Sequence, residues 1–100
     1  MTLGDDVPAE LRAKVGETFA LALPATATAG FGWVAFYDAD RLALVGDEHE
    51  PAGSAPGAAG RERFEFRVLA PGETVVRLAY GRPWDDSPRE ERELRVVVEA

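Results

Sequence analysis

Apolar and polar residues alternate with period two along most of the chain, a pattern that predicts β-strands. In the clearest case Phe64, Phe66 and Val68 are separated by charged residues, which is typical of a strand with one buried and one solvated face. No stretch carries the apolar stripe of an amphipathic helix. Seven strands are predicted, over residues 7–15, 17–23, 33–38, 42–46, 61–69, 74–80 and 92–99.

These strands, separated by turn signals, predict an all-β fold, namely an immunoglobulin-like antiparallel β-sandwich of about seven strands. The cysteine pair of antibody domains is absent, so the prediction concerns the architecture alone. A chain of 100 residues has room for one hydrophobic core, and we expect a single domain over residues 1–100.

The connections between the predicted strands alternate between tight turns and long loops. We call residues 24–32 the first long loop, residues 46–60 the second and residues 81–91 the third. When successive strands run up and down, alternate connections lie at the same end of a sandwich, so all three long loops are expected at one end. Loops longer than chain reversal requires are usually functional, although extra length can also be merely tolerated. The arrangement favours a recognition surface over a buried catalytic pocket.

Charge and composition narrow the classes of function. Eleven Lys and Arg against 18 Asp and Glu give a net charge of -7, which disfavours binding to nucleic acid or to an anionic membrane. The chain has no cysteine and a single histidine, His49, so a thiol nucleophile, a disulfide and a multi-histidine metal site are excluded within one chain. Asp85 and Asp86 lack the ordered ligand spacing of a calcium loop. We therefore expect a monomer that is not an enzyme and holds no cofactor or metal ion.

The chain carries no visible address for export. Residues 1–6 lack the cationic start and the apolar stretch of a signal peptide. No apolar run approaches the ~18 residues needed to span a bilayer. The compartment stays open: cytoplasmic as the sequence is written, secreted or periplasmic if a leader was removed.

The three long loops differ in chemistry. The first is small and uncharged, so it can enter a narrow cleft without desolvating a charge. The crest of the second, residues 57–60, contains only Gly and Ala, which lets the backbone approach a partner closely. The third contains Arg82, Pro83 and Trp84, and Arg and Trp are the types most enriched among interface hot spots. Each loop also has a competing interpretation. The first loop could simply cover the end of the sandwich, the second could be a flexible connection, and Trp84 of the third could fold back over the core.

Together the loops resemble those of the chagasin-type inhibitors of cysteine peptidases. The hallmark of that family is an Asn-Pro-Thr-Thr-Gly-aromatic-x-Trp loop, a Gly-x-Gly-Gly loop and an Arg-Pro-Trp loop, in that order. The corresponding segments here are Thr26-Ala27-Thr28-Ala29-Gly30-Phe31-Gly32-Trp33, Gly57-Ala58-Ala59-Gly60 and Arg82-Pro83-Trp84. The resemblance covers about residues 8–99. The sequence departs from the family pattern at four positions: Thr26, Ala27, Ala29 and Ala59.

The resemblance implies a reversible protein inhibitor that occludes the active-site cleft of papain-like cysteine peptidases. By the same resemblance, Thr28 lies against the catalytic cysteine of the peptidase and residues 57–60 run along one wall of the cleft. Arg82 and Trp84 pack on the other wall, with the indole against an aromatic side chain of the peptidase. The alternative is a non-inhibitory immunoglobulin-like binding module for another protein or a glycan, which the departures in the first long loop favour.

Overall fold

The computed structural model describes residues 2–3, 9–25, 32–50, 60–82, 87 and 89–100. Within this part of the chain every regular element is a β-strand. The strands are β1 (Thr2–Leu3), β2 (Glu10–Lys14), β3 (Thr18–Ala25), β4 (Gly32–Phe36), β5 (Leu42–Glu50), β6 (Gly60–Val68), β7 (Gly72–Gly81) and β8 (Glu90–Glu99). A search of the described residues finds no helix with the length and apolar character needed to cross a membrane.

The strands form two four-stranded sheets, which confirms the predicted β-sandwich. One sheet has the order β1-β3-β6-β5 and the other the order β2-β8-β7-β4. Four strand pairs are antiparallel: β3–β6, β5–β6, β4–β7 and β7–β8. The two N-terminal strands are different, because β1 pairs with β3 and β2 pairs with β8 in parallel. Each sheet thus consists of three antiparallel strands and one edge strand that pairs in parallel.

The inward rows of the two sheets meet in one hydrophobic core. Phe66 is completely buried in it, stacked on Phe19 at 5.5 Å between ring centroids and met edge-on by Tyr37 at 5.1 Å. Burying each such side chain contributes roughly 1.5–3 kcal/mol to folding. The buried cluster comprises Leu11, Ala13, Phe19, Leu21, Leu23, Trp33, Leu42, Phe64, Phe66, Val68, Val76, Leu78, Leu94, Val96 and Val98.

Several strand limits differ from the prediction. The fourth predicted strand, over residues 42–46, extends in β5 to Glu50 after a bulge between Leu44 and Gly46. A bulge inserts one unpaired residue, so it shifts the phase of alternation and hides the second half of the strand from a period-two search. In β4 only one face is covered, because Trp33 is buried whereas Val34 and Phe36 on the other face are exposed.

The strand ends that flank the three long loops lie at one end of the sandwich, as predicted. In one sheet Ala25 pairs with Gly60, and Glu50 pairs with Arg61. In the other sheet Gly32 pairs with Gly81 and Tyr80 pairs with Glu90. The irregular segments are shorter than predicted, because β3, β5 and β8 extend further toward this end. We call it the loop end.

At the opposite end of the sandwich, hydrogen bonds join the tight turns to neighbouring segments. Gly16 donates its N–H to the carbonyl of Val68 at 2.9 Å, and Val68 donates to the carbonyl of Glu17 at 2.9 Å. Arg41 reaches across to the turn before β7, where its Nη1 donates to the carbonyl of Pro71 at 2.6 Å. These bonds between turns hold this end of the two sheets together.

Two glycines at this end have positive φ and provide a first prediction. A Cβ on Gly72, at φ 114°, would lie 2.6 Å from Nη1 of Arg41, whereas a Cβ on Gly16, at φ 92°, would meet nothing within 4 Å. Gly16→Ala should therefore cost about 1 kcal/mol of backbone strain. Gly72→Ala should cost about 2–3 kcal/mol, because it also displaces Arg41 from Pro71. Urea denaturation of both variants measures the difference, and equal losses would show that Arg41 moves aside freely.

Candidate functional site

The two ends of the first long loop are joined by a tryptophan. Trp33 is the second residue of β4, its side chain is buried, and its indole Nε1 donates to the carbonyl of Pro24 at 3.0 Å. Pro24 lies near the end of β3 in the other sheet. This hydrogen bond links the two sheets between the strand ends that flank residues 26–31.

A carboxylate reaches the same position from a third strand. Oε1 of Glu62 accepts a hydrogen bond from the backbone N–H of Trp33 at 3.1 Å. Glu62 lies in β6 and pairs with Leu23 of β3, so it belongs to the sheet that also carries Pro24. Trp33 therefore donates from its backbone and from its indole ring to two neighbouring strands of the opposite sheet.

The base of the third long loop also contacts Trp33. The ring of Tyr80, near the end of β7, lies 5.1 Å from the ring of Trp33 in a tilted arrangement, a geometry that aromatic pairs favour. The carbonyl of Tyr80 accepts a hydrogen bond from the N–H of Arg89 at 2.7 Å, which closes the base of the loop just before β8. Trp33 and Tyr80 thus bring the strand ends that flank the first and third long loops side by side.

The strand ends at the second long loop lie next to the base of the first. Within the second long loop, β5 ends at Glu50 and β6 begins at Gly60. Gly60 is buried and pairs with Ala25, the residue of the first long loop at which β3 ends. The bases of all three loops are therefore adjacent across the loop end.

The described residues include two of the predicted site residues. Gly60 is buried at the first position of β6, and Arg82 directly follows β7 and is half-buried. The remaining predicted site residues lie outside the described residues, and their roles stay predictions: Thr26, Ala27, Thr28, Ala29, Gly30, Phe31, Gly57, Ala58, Ala59, Pro83 and Trp84.

Glu62 was missed by the sequence analysis, although a signal for it exists. Counting back by two from Phe66 and Phe64 reaches Glu62, so the alternation of β6 places this charged residue in the inward row. An inward charge near the end of a strand needs a partner, since burying an unpaired carboxylate is costly. That requirement indicates a specific polar contact at the loop end.

Other titratable groups near the site are arranged differently. His49, the single histidine of the chain, is exposed on β5 opposite Glu62. Among the residues that the structure describes, no three His, Asp or Glu side chains are grouped to hold a metal ion. Asp85 and Asp86 lie outside the described residues.

A β-sandwich whose three loop bases are joined at one end belongs to the class of loop-presenting recognition domains. Sequence comparison narrows the class. The model of the family described as chagasin family peptidase inhibitor I42 matches residues 12–98. Chagasin from Trypanosoma cruzi is 30% identical over 100 residues, covering 92% of this chain and 89% of the relative. The chain belongs to the chagasin family of peptidase inhibitors, which confirms the resemblance seen in the loops and the expectation of a protein other than an enzyme.

Solved structures share the fold. The cysteine protease inhibitor EhICP2 from Entamoeba histolytica has a TM-score of 0.83 at 24% identity, covering 99% of this chain and 93% of that chain. Amebosin, solved in solution, has a TM-score of 0.63 at 24% identity, covering 98% and 96%. PbICP-C, solved in complex with falcipain-2, has a TM-score of 0.71 at 15% identity, covering 99% and 98%.

Proposed function

We propose that this protein is a reversible inhibitor of papain-like cysteine peptidases and that its three long loops together fill the active-site cleft. The observation that carries the proposal is the joining of the loop bases at one end of the sandwich, through Trp33, Tyr80 and Gly60. Family membership supports it, as does the structural similarity to PbICP-C, which was solved in complex with falcipain-2.

The first long loop is proposed to enter the cleft most deeply. Its residues 26–31 carry no charge, so little polar surface loses water when the loop is buried. Thr28 is proposed to lie against the catalytic cysteine of the peptidase and to fill space there without offering a reactive group. The bond from Trp33 to Pro24 holds the two ends of the loop in place, which lowers the entropy lost on binding.

The other two loops are proposed to contact the two walls of the cleft. Residues 57–60 have no side chain larger than a methyl group, so their backbone can lie close to one wall. Arg82 and Trp84 are proposed to pack on the other wall, with Pro83 fixing the backbone between them. Large, rigid side chains of this kind supply most of the binding energy in many interfaces.

Inhibition of this kind is occlusion without covalent chemistry. The chain contains no cysteine and therefore contributes no thiol to a mixed disulfide with the peptidase. Substrate is excluded as long as the loops occupy the cleft, and activity returns when they leave. The absence of the family proline at Ala27 frees one backbone residue, and ordering it on binding costs on the order of 1 kcal/mol.

Titration of papain with the intact protein tests the proposal. We expect papain activity to fall as inhibitor is added, to return on dilution, and to leave the inhibitor uncleaved. Trypsin and a zinc metallopeptidase are the controls and should be unaffected. If several papain-like peptidases keep full activity at ~10 µM protein, the dissociation constant of any complex lies above that concentration. The alternative function, a binding module for another protein or a glycan, would then replace the proposed inhibition. The departures from the family pattern at Thr26, Ala27 and Ala29 favour that alternative.

A further inference from the structure

Glu62 is a charged residue in the inward row of β6, on the same face as Phe64 and Phe66. Its Oε1 lies 3.1 Å from the backbone nitrogen of Trp33. The preceding residue, Gly32, is also close, since a Cβ there would lie 3.4 Å from the same oxygen. The carboxylate therefore fits tightly against the first two residues of β4, where the first long loop ends.

The edge position of β4 explains why a side-chain acceptor is needed. β4 is the last strand of its sheet and pairs only with β7 among the described strands. A backbone N–H directed away from β7 has no neighbouring strand as its acceptor, and near the core it would be costly to leave it unpaired. Glu62 supplies the acceptor from the opposite sheet, as a carboxylate, and hydrogen bonds to charged groups are stronger than neutral ones.

The two hydrogen bonds of Trp33 act on both ends of the first long loop. The indole bond holds Pro24, where the chain leaves β3, and the backbone bond to Glu62 holds the point where the chain enters β4. Pro24 and Glu62 lie on paired strands, with Pro24 opposite Arg61 and Leu23 opposite Glu62. The separation and direction of the two loop ends are thus set by one side chain and one carboxylate.

We propose that Glu62 is a positioning residue for peptidase binding: its carboxylate fixes the backbone of Trp33 and thereby the geometry with which the first long loop meets the peptidase. The inference rests on the proposed function and deepens it. Glu62 acts through Trp33 and needs no contact with the peptidase. Its contribution is preorganisation, because a loop whose ends are already fixed loses less freedom on binding.

Two substitutions separate the acceptor from the bulk of the side chain. Glu62→Met keeps a similar volume and removes the acceptor oxygen, whereas Glu62→Gln keeps an oxygen that can accept the N–H of Trp33. Glu48→Ala is the control. This substitution also removes one negative charge from the loop end, but Glu48 pairs with Arg63 on the outer face of the sheet. Inhibition constants for papain are measured per folded molecule.

We expect Glu62→Met to raise the inhibition constant about threefold to tenfold, the effect of one lost hydrogen bond. Glu48→Ala should stay within about twofold of the unchanged protein, and Glu62→Gln should lie between the unchanged protein and Glu62→Met, since the amide keeps an acceptor oxygen but loses the charge. A Glu62→Met variant that inhibits as well as the unchanged protein overturns the proposal. A Glu62→Gln variant as weak as Glu62→Met overturns it as well, since the acceptor oxygen would then be irrelevant.

Amide hydrogen exchange in the free protein gives a readout that does not depend on any peptidase. The backbone N–H of Trp33 should exchange faster in Glu62→Met than in Glu62→Gln, while the amides of β7 keep their protection. If the unchanged protein fails to inhibit papain, the proposed function fails, and this exchange experiment still decides whether Glu62 fixes Trp33. Equal exchange in the two variants would refute that positioning role.

Discussion

Replacing Trp84 by alanine is expected to weaken papain inhibition at least tenfold, and more than Thr28→Ala does. Trp84 follows Pro83 in the third long loop, and truncating an aromatic anchor that loses a large area of contact with water on binding commonly costs ~2 kcal/mol or more. Thr28 is small, and its proposed contribution is to fill space beside the catalytic cysteine. Inhibition constants for papain measured on both variants give the comparison.

Thermal melts provide the control for this experiment. The inward row of β7 continues through Leu78, which is fully buried, and Tyr80, which packs against the core. Trp33 already covers the core at the loop end. The melting temperature should therefore change little in Trp84→Ala. A large loss of stability with unchanged binding per folded molecule would assign Trp84 to the core and remove it from the proposed site.

The reverse effect is expected for Phe66→Ala. Phe66 is fully buried and contacts two further aromatic rings, those of Phe19 and Tyr37. Large-to-small substitutions of buried aromatic residues leave a cavity and typically cost about 3–5 kcal/mol. Urea denaturation should show a loss in this range, whereas papain inhibition per folded molecule should remain close to that of the unchanged protein.

Phe36→Ala is the matched control for Phe66→Ala. Phe36 is 47% exposed on β4, with the guanidinium of Arg77 at 4.7 Å from its ring. Loss of this exposed cation–π contact and of partial burial should cost about 1 kcal/mol or less. If the two phenylalanine substitutions had equal effects, the centre of the core would lie elsewhere.

The sandwich was predictable because its core strands alternate cleanly. In β6, β7 and β8 buried apolar residues recur at every second position over most of the strand, and the place of these strands in the core follows from that alternation. The second half of β5 was not predictable in this way, since the bulge after Leu44 shifts the phase and Asp47 follows where an apolar residue would be expected. The parallel pairing of β2 with β8 joins residues far apart in sequence, and alternation within a strand carries no information about its partner.

The site was predictable where local sequence determines it. The alternation of tight and long connections predicted one loop end, and the strand ends confirm it. The contact between Glu62 and Trp33 could not be derived from spacing, because it joins two sheets and depends on how they are rotated against each other. A charged residue in an inward row shows that a partner exists but does not identify it.

The strand order of the second sheet also determines when the protein can fold. β8, the last strand along the chain, lies between β2 and β7 and is hydrogen-bonded to both. During synthesis β2 therefore remains without its neighbour until residues 90–99 have left the ribosome. Contacts between distant parts of a chain form slowly because a large loop must close first. Completion of the sandwich, and with it the joining of the loop bases, therefore waits until β8 has been synthesised.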